Sequence, residues 1–139
     1  MTRYVAFLGS INVGGNRLAM ADLVAAMEAE GFAHVATVVA SGNLLFDHAG
    51  ATEDKLEAQI ARIIADRFGI ETFATVRTAA EVRAAIEDNP FRGEGEDKLV
   101  HTYFLECQPS AVRFEALIAD QAGRGRERLA AGARVLHVD

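Results

Sequence analysis

Apolar runs and helical spacing alternate along the first half of the chain. An almost unbroken apolar run from Tyr4 to Leu8 predicts a strand buried on both faces. Apolar residues at helical spacing predict a helix from about Met20 to Glu30. The valine-rich stretch His34 to Ala40 and the apolar stretch Asn43 to Phe46 predict two strands joined by a tight reversal. The chain therefore begins with the order strand, helix, strand, strand.

A longer helix and a fourth strand extend this pattern. Thr52 is placed to cap a helix whose apolar face continues to Phe68, and Gly69 is placed to end it. The stretch Glu71 to Arg77 follows with residues that favour strands. The resulting order is that of a ferredoxin-like unit. We therefore predict an α+β fold whose first unit is a ferredoxin-like βαββαβ arrangement.

The remaining residues predict a smaller αβαβ second unit. Its elements are a short helix from Thr78 to about Asn89, a strand Lys98 to Leu105, a helix Pro109 to about Asp120 and a strand Arg134 to Val138. The short helix is expected to turn Val82 and Ile86 inward. The last strand, which the end at Asp139 leaves without a hairpin partner, offers an open edge for self-association. The length fits a single domain, 1–139, with subdomains 1–77 and 78–139.

Composition limits the partners and the compartment. A net charge of -6 argues against nucleic acid and anionic membranes as partners, except through a local basic patch. No apolar run is long enough for a membrane span. The single cysteine, Cys107, which we expect to be buried or half-buried, fits a reducing cytoplasm. Scattered histidines give no zinc spacing, so we expect no metal and no cofactor.

The glycine-rich loop Gly9 to Arg17 is the best candidate for a functional surface. In a ferredoxin-like sheet it lies at the same end as the turn Ser41 to Asn43. Glycines allow backbone N–H groups to converge on a ligand, and the loop leads toward a helix N-terminus. We predict a site for a small polar or anionic ligand, with Arg17 as its only obvious charge. The predicted ligand-binding residues are Asn12, Gly14, Gly15, Asn16, Arg17, Ser41, Gly42 and Asn43.

Other interpretations stay open. The same glycines and asparagines are also typical of a purely structural turn. The loop matches neither a dinucleotide fingerprint nor a P-loop. No histidine lies in the loop or the turn to activate Ser10 or Ser41, so catalytic residues and the reaction, if any, are unknown. A nucleic-acid-binding module is a second hypothesis, through the arginines of Gly123 to Arg128 or through the sheet. Binding through the sheet requires Phe7 and Phe46 to face solvent, and these rings could equally face the helices.

Several motifs together resemble the domain-of-unknown-function family 1697, whose hallmarks are an Ile-Asn-Val-Gly-Gly loop and a Ser-Gly-Asn turn. The matching segments are Ser10 to Gly15, Met20, Leu23, Gly31-Phe32, Ser41-Gly42-Asn43, Phe46, Asn89-Pro90-Phe91 and Tyr103-Phe104-Leu105. The resemblance covers nearly the whole chain. It implies a ferredoxin-like first unit and a smaller second one, and it implies no reaction.

This chain departs from the family pattern in two places. Family members usually carry Arg-Gly where this chain has Gly9-Ser10, and often carry Tyr and Gln where it has Val38 and Ala40. These departures remove a cation and an amide from the predicted site. The resemblance also implies a further strand and loop past Asp139, so the second unit is expected to be naturally short or trimmed there.

Overall fold

A computed structural model describes residues 1–9, 11, 17–38, 42–93, 99–105 and 107–139 of the protein. The chain divides into two compact units, Met1–Ala79 and Ala80–Asp139. Both combine helices with an antiparallel sheet, which confirms the α+β class.

The first unit places two helices and four strands in the predicted order. The elements are β1 (Thr2–Leu8), α1 (Met20–Ala29), β2 (Ala33–Val38), β3 (Asn43–His48), α2 (Glu53–Phe68) and β4 (Ala74–Thr78). The strand order in the sheet is β2-β3-β1-β4, and each neighbouring pair is antiparallel. Because β3 is antiparallel to both β1 and β2, these two strands run in the same direction. The end of β1 and the turn from β2 to β3 therefore share one end of the sheet.

The core of the first unit lies between one face of the sheet and the two helices. Along β1 the residues Tyr4, Ala6 and Leu8 are buried, while the residues between them are only half-buried. Strand β3 contributes Leu44 and Phe46, both fully buried. This period of two corrects the prediction that β1 is buried on both faces, because only alternate side chains point toward the helices.

Helix α2 begins and ends at the residues that the sequence indicates. The Thr52 hydroxyl accepts a hydrogen bond from the Lys55 amide, and Gly69 ends the helix with a left-handed φ of 67°. Its apolar face, Leu56, Ile60, Ile63 and Ile64, is buried. An N-cap hydroxyl and a C-terminal glycine satisfy backbone groups that the helix itself leaves unpaired.

The second unit contains one more strand than the sequence predicts. Its elements are α3 (Ala79–Glu87), β5 (His101–Phe104), α4 (Ala111–Ala122), β6 (Leu129–Gly132) and β7 (Val135–Val138). The sheet order is β5-β7-β6. The prediction of an αβαβ unit ending in an unpartnered strand is therefore wrong, because β7 is the central strand and pairs on both sides. The open edge that we expected at the last strand is filled.

The composition of β6 explains why the sequence did not indicate it. Leu129–Gly132 reads Leu-Ala-Ala-Gly, without the β-branched or aromatic residues that mark strands. A short turn joins it to β7, and Arg134 adopts a positive φ of 53° there. Strand β6 is therefore stabilised by its backbone pairing with β7 more than by its own side chains.

Two further predictions for the second unit are wrong. Ile86 is 52% exposed, whereas Val82 is half-buried and Ala85 is buried, so the inward face of α3 follows Val82 and Ala85 and leaves Ile86 outside. Cys107 is exposed, because it follows β5 in an irregular segment instead of lying in the sheet. In the part of the chain that the structure describes, no helix has both the length and the apolar character needed to cross a membrane.

Candidate functional site

Three segments of the first unit meet where β1 ends. The Leu8 amide donates a hydrogen bond to the Gly42 carbonyl over 3.0 Å, which joins β1 to the turn before β3. The Gly9 amide donates to the Phe73 carbonyl, also over 3.0 Å, which joins it to the segment before β4. The start of the glycine-rich loop therefore lies between the turn and the start of β4.

Position 42 favours glycine because of its backbone angle and the little space around it. Its φ is 97°, and a Cβ placed on it would lie 3.2 Å from the Leu8 Cβ and 3.3 Å from the Ile11 Cβ. Both the backbone angle and the crowding disfavour a side chain at this position. This predicted ligand-binding residue thus has a structural role that brings the turn against the loop.

Phe73 is a residue of this site that sequence reasoning missed. Its ring occupies the space that a Cβ on Gly9 would fill, yet Phe73 as a residue is 65% exposed. The neighbouring Thr72 hydroxyl donates a hydrogen bond to the Gly9 carbonyl. The sequence places Phe73 in a strand from Glu71 to Arg77, but β4 begins only at Ala74, so Phe73 forms an exposed aromatic edge beside the loop.

Buried side chains hold both ends of the loop. Ile11 is 2% exposed and Leu18 is 6% exposed, and both belong to the core of the first unit. Arg17, next to Leu18, is exposed. An apolar anchor on each side fixes where the loop leaves and re-enters the core, while the guanidinium of Arg17 stays in solvent.

Only part of the predicted site lies within the described residues. Arg17, Gly42 and Asn43 are described, and Asn43 is a half-buried residue at the start of β3, paired in register with Phe7 and Val38. The others, Asn12, Gly14, Gly15, Asn16 and Ser41, lie outside the described residues, and so do Ser10 and Ala40.

Charged side chains also cluster at the opposite end of β1. The Asp47 carboxylate on β3 lies 2.8 Å from the His34 Nδ1 and 3.3 Å from the Arg3 guanidinium. Loss of hydration acts to raise the pKa of Asp47, but the hydrogen bonds from His34 and Arg3 outweigh it and hold that pKa below its ordinary value. This cluster ties three strands together and lies away from the glycine-rich loop.

Of the two orientations left open for Phe46, the structure shows the one that faces the helices, so Phe46 forms no exposed stacking surface. Phe46 is fully buried and packs against Tyr4 and Phe32, because it shares the helix-facing side of β3 with Leu44. Phe7 points to the other side of the sheet and is half-buried. Within the described ranges, no group of histidine, cysteine, aspartate and glutamate side chains could hold a metal ion.

Comparisons with known proteins agree with the fold. The model of a family described as "Protein of unknown function (DUF1697)" matches residues 1–137. No curated protein matches. A solved structure, that of the conserved bacterial protein SP0830 from Streptococcus pneumoniae, is similar with a TM-score of 0.76 and 21% sequence identity, over 99% of this chain and 76% of that one. This likeness shows the fold alone.

Proposed function

We propose that this chain, which belongs to the DUF1697 family of proteins of unknown function, binds a small polar or anionic ligand between the Gly9–Arg17 loop and the Ser41–Asn43 turn. One observation carries the proposal: the turn packs against the start of the loop. The two are joined by the Leu8–Gly42 hydrogen bond and by the close approach of Gly42 to Ile11. Two segments rich in small polar residues are thereby joined at one end of the sheet.

The chemistry of these segments favours an anion or a carbonyl group. Backbone N–H groups of a glycine-rich segment that leads to a helix are suited to bind negative charge. Arg17 is exposed and makes no ion pair with any residue that the structure describes, so its guanidinium is free to face a ligand. Phe73 adds an apolar edge beside Gly9, which would shelter such a ligand from water on one side.

A thermal-shift screen of small metabolites and anions tests this proposal. A compound that binds the folded chain raises the melting temperature, and the rise grows with concentration. The variants Arg17→Ala and Asn12→Ala are expected to abolish it. Arg113→Ala is the matched control, because Arg113 is an exposed arginine on α4 of the other unit. Stabilising compounds that act equally on all three variants would contradict the proposal.

We also propose a ferredoxin-like topology, two subdomains and a cytoplasmic location for this chain. The strand order β2-β3-β1-β4 with antiparallel neighbours supports a ferredoxin-like first unit. The compact units Met1–Ala79 and Ala80–Asp139 support a division into subdomains of residues 1–77 and 78–139, and we propose that these form a single domain, 1–139. A cytoplasmic location is proposed from the single cysteine, which has no second cysteine in this sequence to pair with.

A nucleic-acid-binding module remains the second candidate function. Phe46 no longer supports it, but Tyr103 in the second unit is an aromatic side chain that is 56% exposed. Salt-sensitive binding of an oligonucleotide would favour this function over the first. An enzyme of unrecognised reaction is a third candidate, for which the sequence of the loop indicates no reaction class.

A further inference from the structure

One face of the second sheet is exposed and carries aromatic side chains. His101 and Tyr103 alternate with Thr102 along β5 and so point to the same side. They pair in register with Val138 and Leu136 of β7, which are half-buried, while the residues of β7 that point the other way are buried. The first face is therefore the one turned to solvent.

This face forms one side of a cavity of about 560 Å³. Leu99, His101 and Tyr103 lie along one side of it. Val138 at the end of β7, Asp139 after it and Arg126 before β6 also line the cavity. Leu99 is 53% exposed and Tyr103 is 56% exposed. A cavity of this volume is in the range that holds a small organic ligand.

The charged side chains around the cavity are of both signs. The Arg128 guanidinium pairs with the Asp139 carboxylate and lies 4.7 Å from the centre of the Phe91 ring. The Glu127 carboxylate accepts a hydrogen bond from the Gln121 amide over 2.8 Å. Arg126 makes no ion pair with the residues that the structure describes. Among the described residues Arg126 is therefore a guanidinium without an ion pair, and it lies at the same cavity as the exposed phenol ring of Tyr103. Glu127 next to it keeps its negative charge, because the Gln121 amide is neutral.

We propose that this cavity binds a planar aromatic ring that carries a negatively charged group, which is the chemistry of a nucleotide. The ring would stack on Tyr103 and contact Leu99, because aromatic side chains bind bases through their faces whatever the base sequence. The phosphate would be bound by Arg126, whose planar guanidinium is suited to pair with phosphate oxygens. This site involves no residue of the glycine-rich loop and is independent of it.

Sequence reasoning missed this site because its parts are far apart in the chain. The arginine cluster Gly123 to Arg128 contains no aromatic residue, which argued against a nucleotide surface. Tyr103 comes from β5, and β7 brings the end of the chain between β5 and β6. Only the pairing of these strands places the ring and the arginine at one cavity.

Titration calorimetry with three compounds tests the proposal on the full chain. Adenosine 5′-monophosphate contains both the ring and the charge, adenosine has only the ring, and ribose 5-phosphate has only the charge. We expect the nucleotide to bind and each of the other two compounds to bind at least about tenfold more weakly, since each keeps half of the contacts. No saturable binding of the nucleotide below about 1 mM would overturn the proposal.

Matched variants locate the binding. Tyr103→Ala is expected to weaken nucleotide binding by about tenfold and Tyr103→Phe to preserve it, because the phenylalanine ring still stacks. Arg126→Gln is expected to weaken it by about tenfold. The control is Arg124→Gln, because Arg124 pairs with Asp120 3.2 Å away and does not line the cavity. Binding that is unchanged in Tyr103→Ala and Arg126→Gln would overturn the assignment of the site.

Free nucleotide and single-stranded nucleic acid share this chemistry, and one further titration distinguishes them. A single-stranded hexaadenylate that binds more tightly than the mononucleotide, with an affinity that falls steeply with salt, identifies a strand as the ligand. Equal affinity per molecule identifies the free nucleotide. Arg17→Ala is expected to leave both titrations unchanged, so failure here is distinguishable from failure of the proposed loop site.

Discussion

The first unit packs aliphatic and aromatic side chains between its sheet and helices, whereas the second unit places a histidine on its central strand. Phe46 on β3 and His137 on β7 are both fully buried. Phe46 contacts two aromatic rings, while His137 hydrogen-bonds to Thr102, with 3.0 Å between the His137 Nδ1 and the Thr102 hydroxyl oxygen. The first unit also buries a charged side chain, Arg77, which lies beside the Glu53 and Glu57 carboxylates, but most of its buried side chains are apolar. Fewer apolar side chains are buried in the described part of the second unit, and its buried polar side chain is a histidine, whose charge varies with pH.

The strongest contrast is expected from removing one core ring in each unit. Phe46→Ala should lower the free energy of unfolding by about 3–5 kcal/mol, because it opens a cavity in a closely packed core. Phe114→Ala, at the buried position of α4, should cost less, because Phe114 is the only buried side chain of its helix. Urea unfolding measures both variants.

The control for both rings is Val38→Ala, since Val38 is 47% exposed on a strand at the edge of the sheet. Its effect should stay within about 0.5 kcal/mol. If Phe114→Ala proved as costly as Phe46→Ala, the two units would not differ in how much they depend on apolar burial.

A smaller effect is expected at the turn that holds the candidate site together. Gly42→Ala should destabilise the first unit by about 2 kcal/mol, because it combines a positive φ with crowding against Leu8 and Ile11. Gly31→Ala isolates the first cause. Gly31 has a φ of 95°, but a Cβ placed there would meet no atom within 4 Å, so about 1 kcal/mol is expected.

Thermal unfolding of Gly42→Ala and Gly31→Ala measures how much more stability is lost at Gly42 than at Gly31. Equal losses of stability at Gly42 and Gly31 would show that the contact between turn and loop is not crowded, which would remove the support it gives to the proposed site.

The smallest effect is expected from pH, on the stability of the second unit. Burial lowers the pKa of His137 below its ordinary value of 6.5, and the charge of Asp88 opposes this only in part. Below about pH 6.5 His137 binds a proton more readily in the unfolded chain than in the folded unit. The free energy of unfolding should therefore fall as the pH decreases toward the folded pKa of His137. Hydrogen exchange of the β7 amides, corrected for the intrinsic exchange rate, measures this loss of stability. The measurement should run from about pH 7.5 down to about pH 5.5, a range that brackets the ordinary histidine pKa.

His137→Asn should remove this part of the pH dependence, and His101→Asn should retain it, because His101 is exposed. A pH dependence that survives in His137→Asn would assign it to another group.

The sequence predicted the first unit better than the second for a physical reason. Helix α2 carries its signals locally, in the Thr52 cap, the apolar face and Gly69. Strand β6 has no such signal, since Leu-Ala-Ala-Gly becomes a strand only through its pairing with β7. Elements stabilised by their own residues can be predicted from sequence, and elements stabilised by a distant partner cannot.

The candidate site shows the same limit. The topology of the first unit was enough to predict that the Gly9–Arg17 loop and the Ser41–Asn43 turn lie at one end of the sheet. The role of Phe73 was not predictable, because its ring fills the space beside Gly9 only through the hydrogen bond between the Gly9 amide and the Phe73 carbonyl.

Amide chemical shifts of the 15N-labelled chain, followed during a titration with inorganic phosphate, are the decisive measurement for the proposed loop site. We expect shifts that are concentrated in the loop between Ile11 and Arg17 and in the turn at Gly42 and Asn43, and that disappear in Arg17→Ala. Shifts confined to the second unit, or none at all, would rule out a binding site for anions at the end of β1.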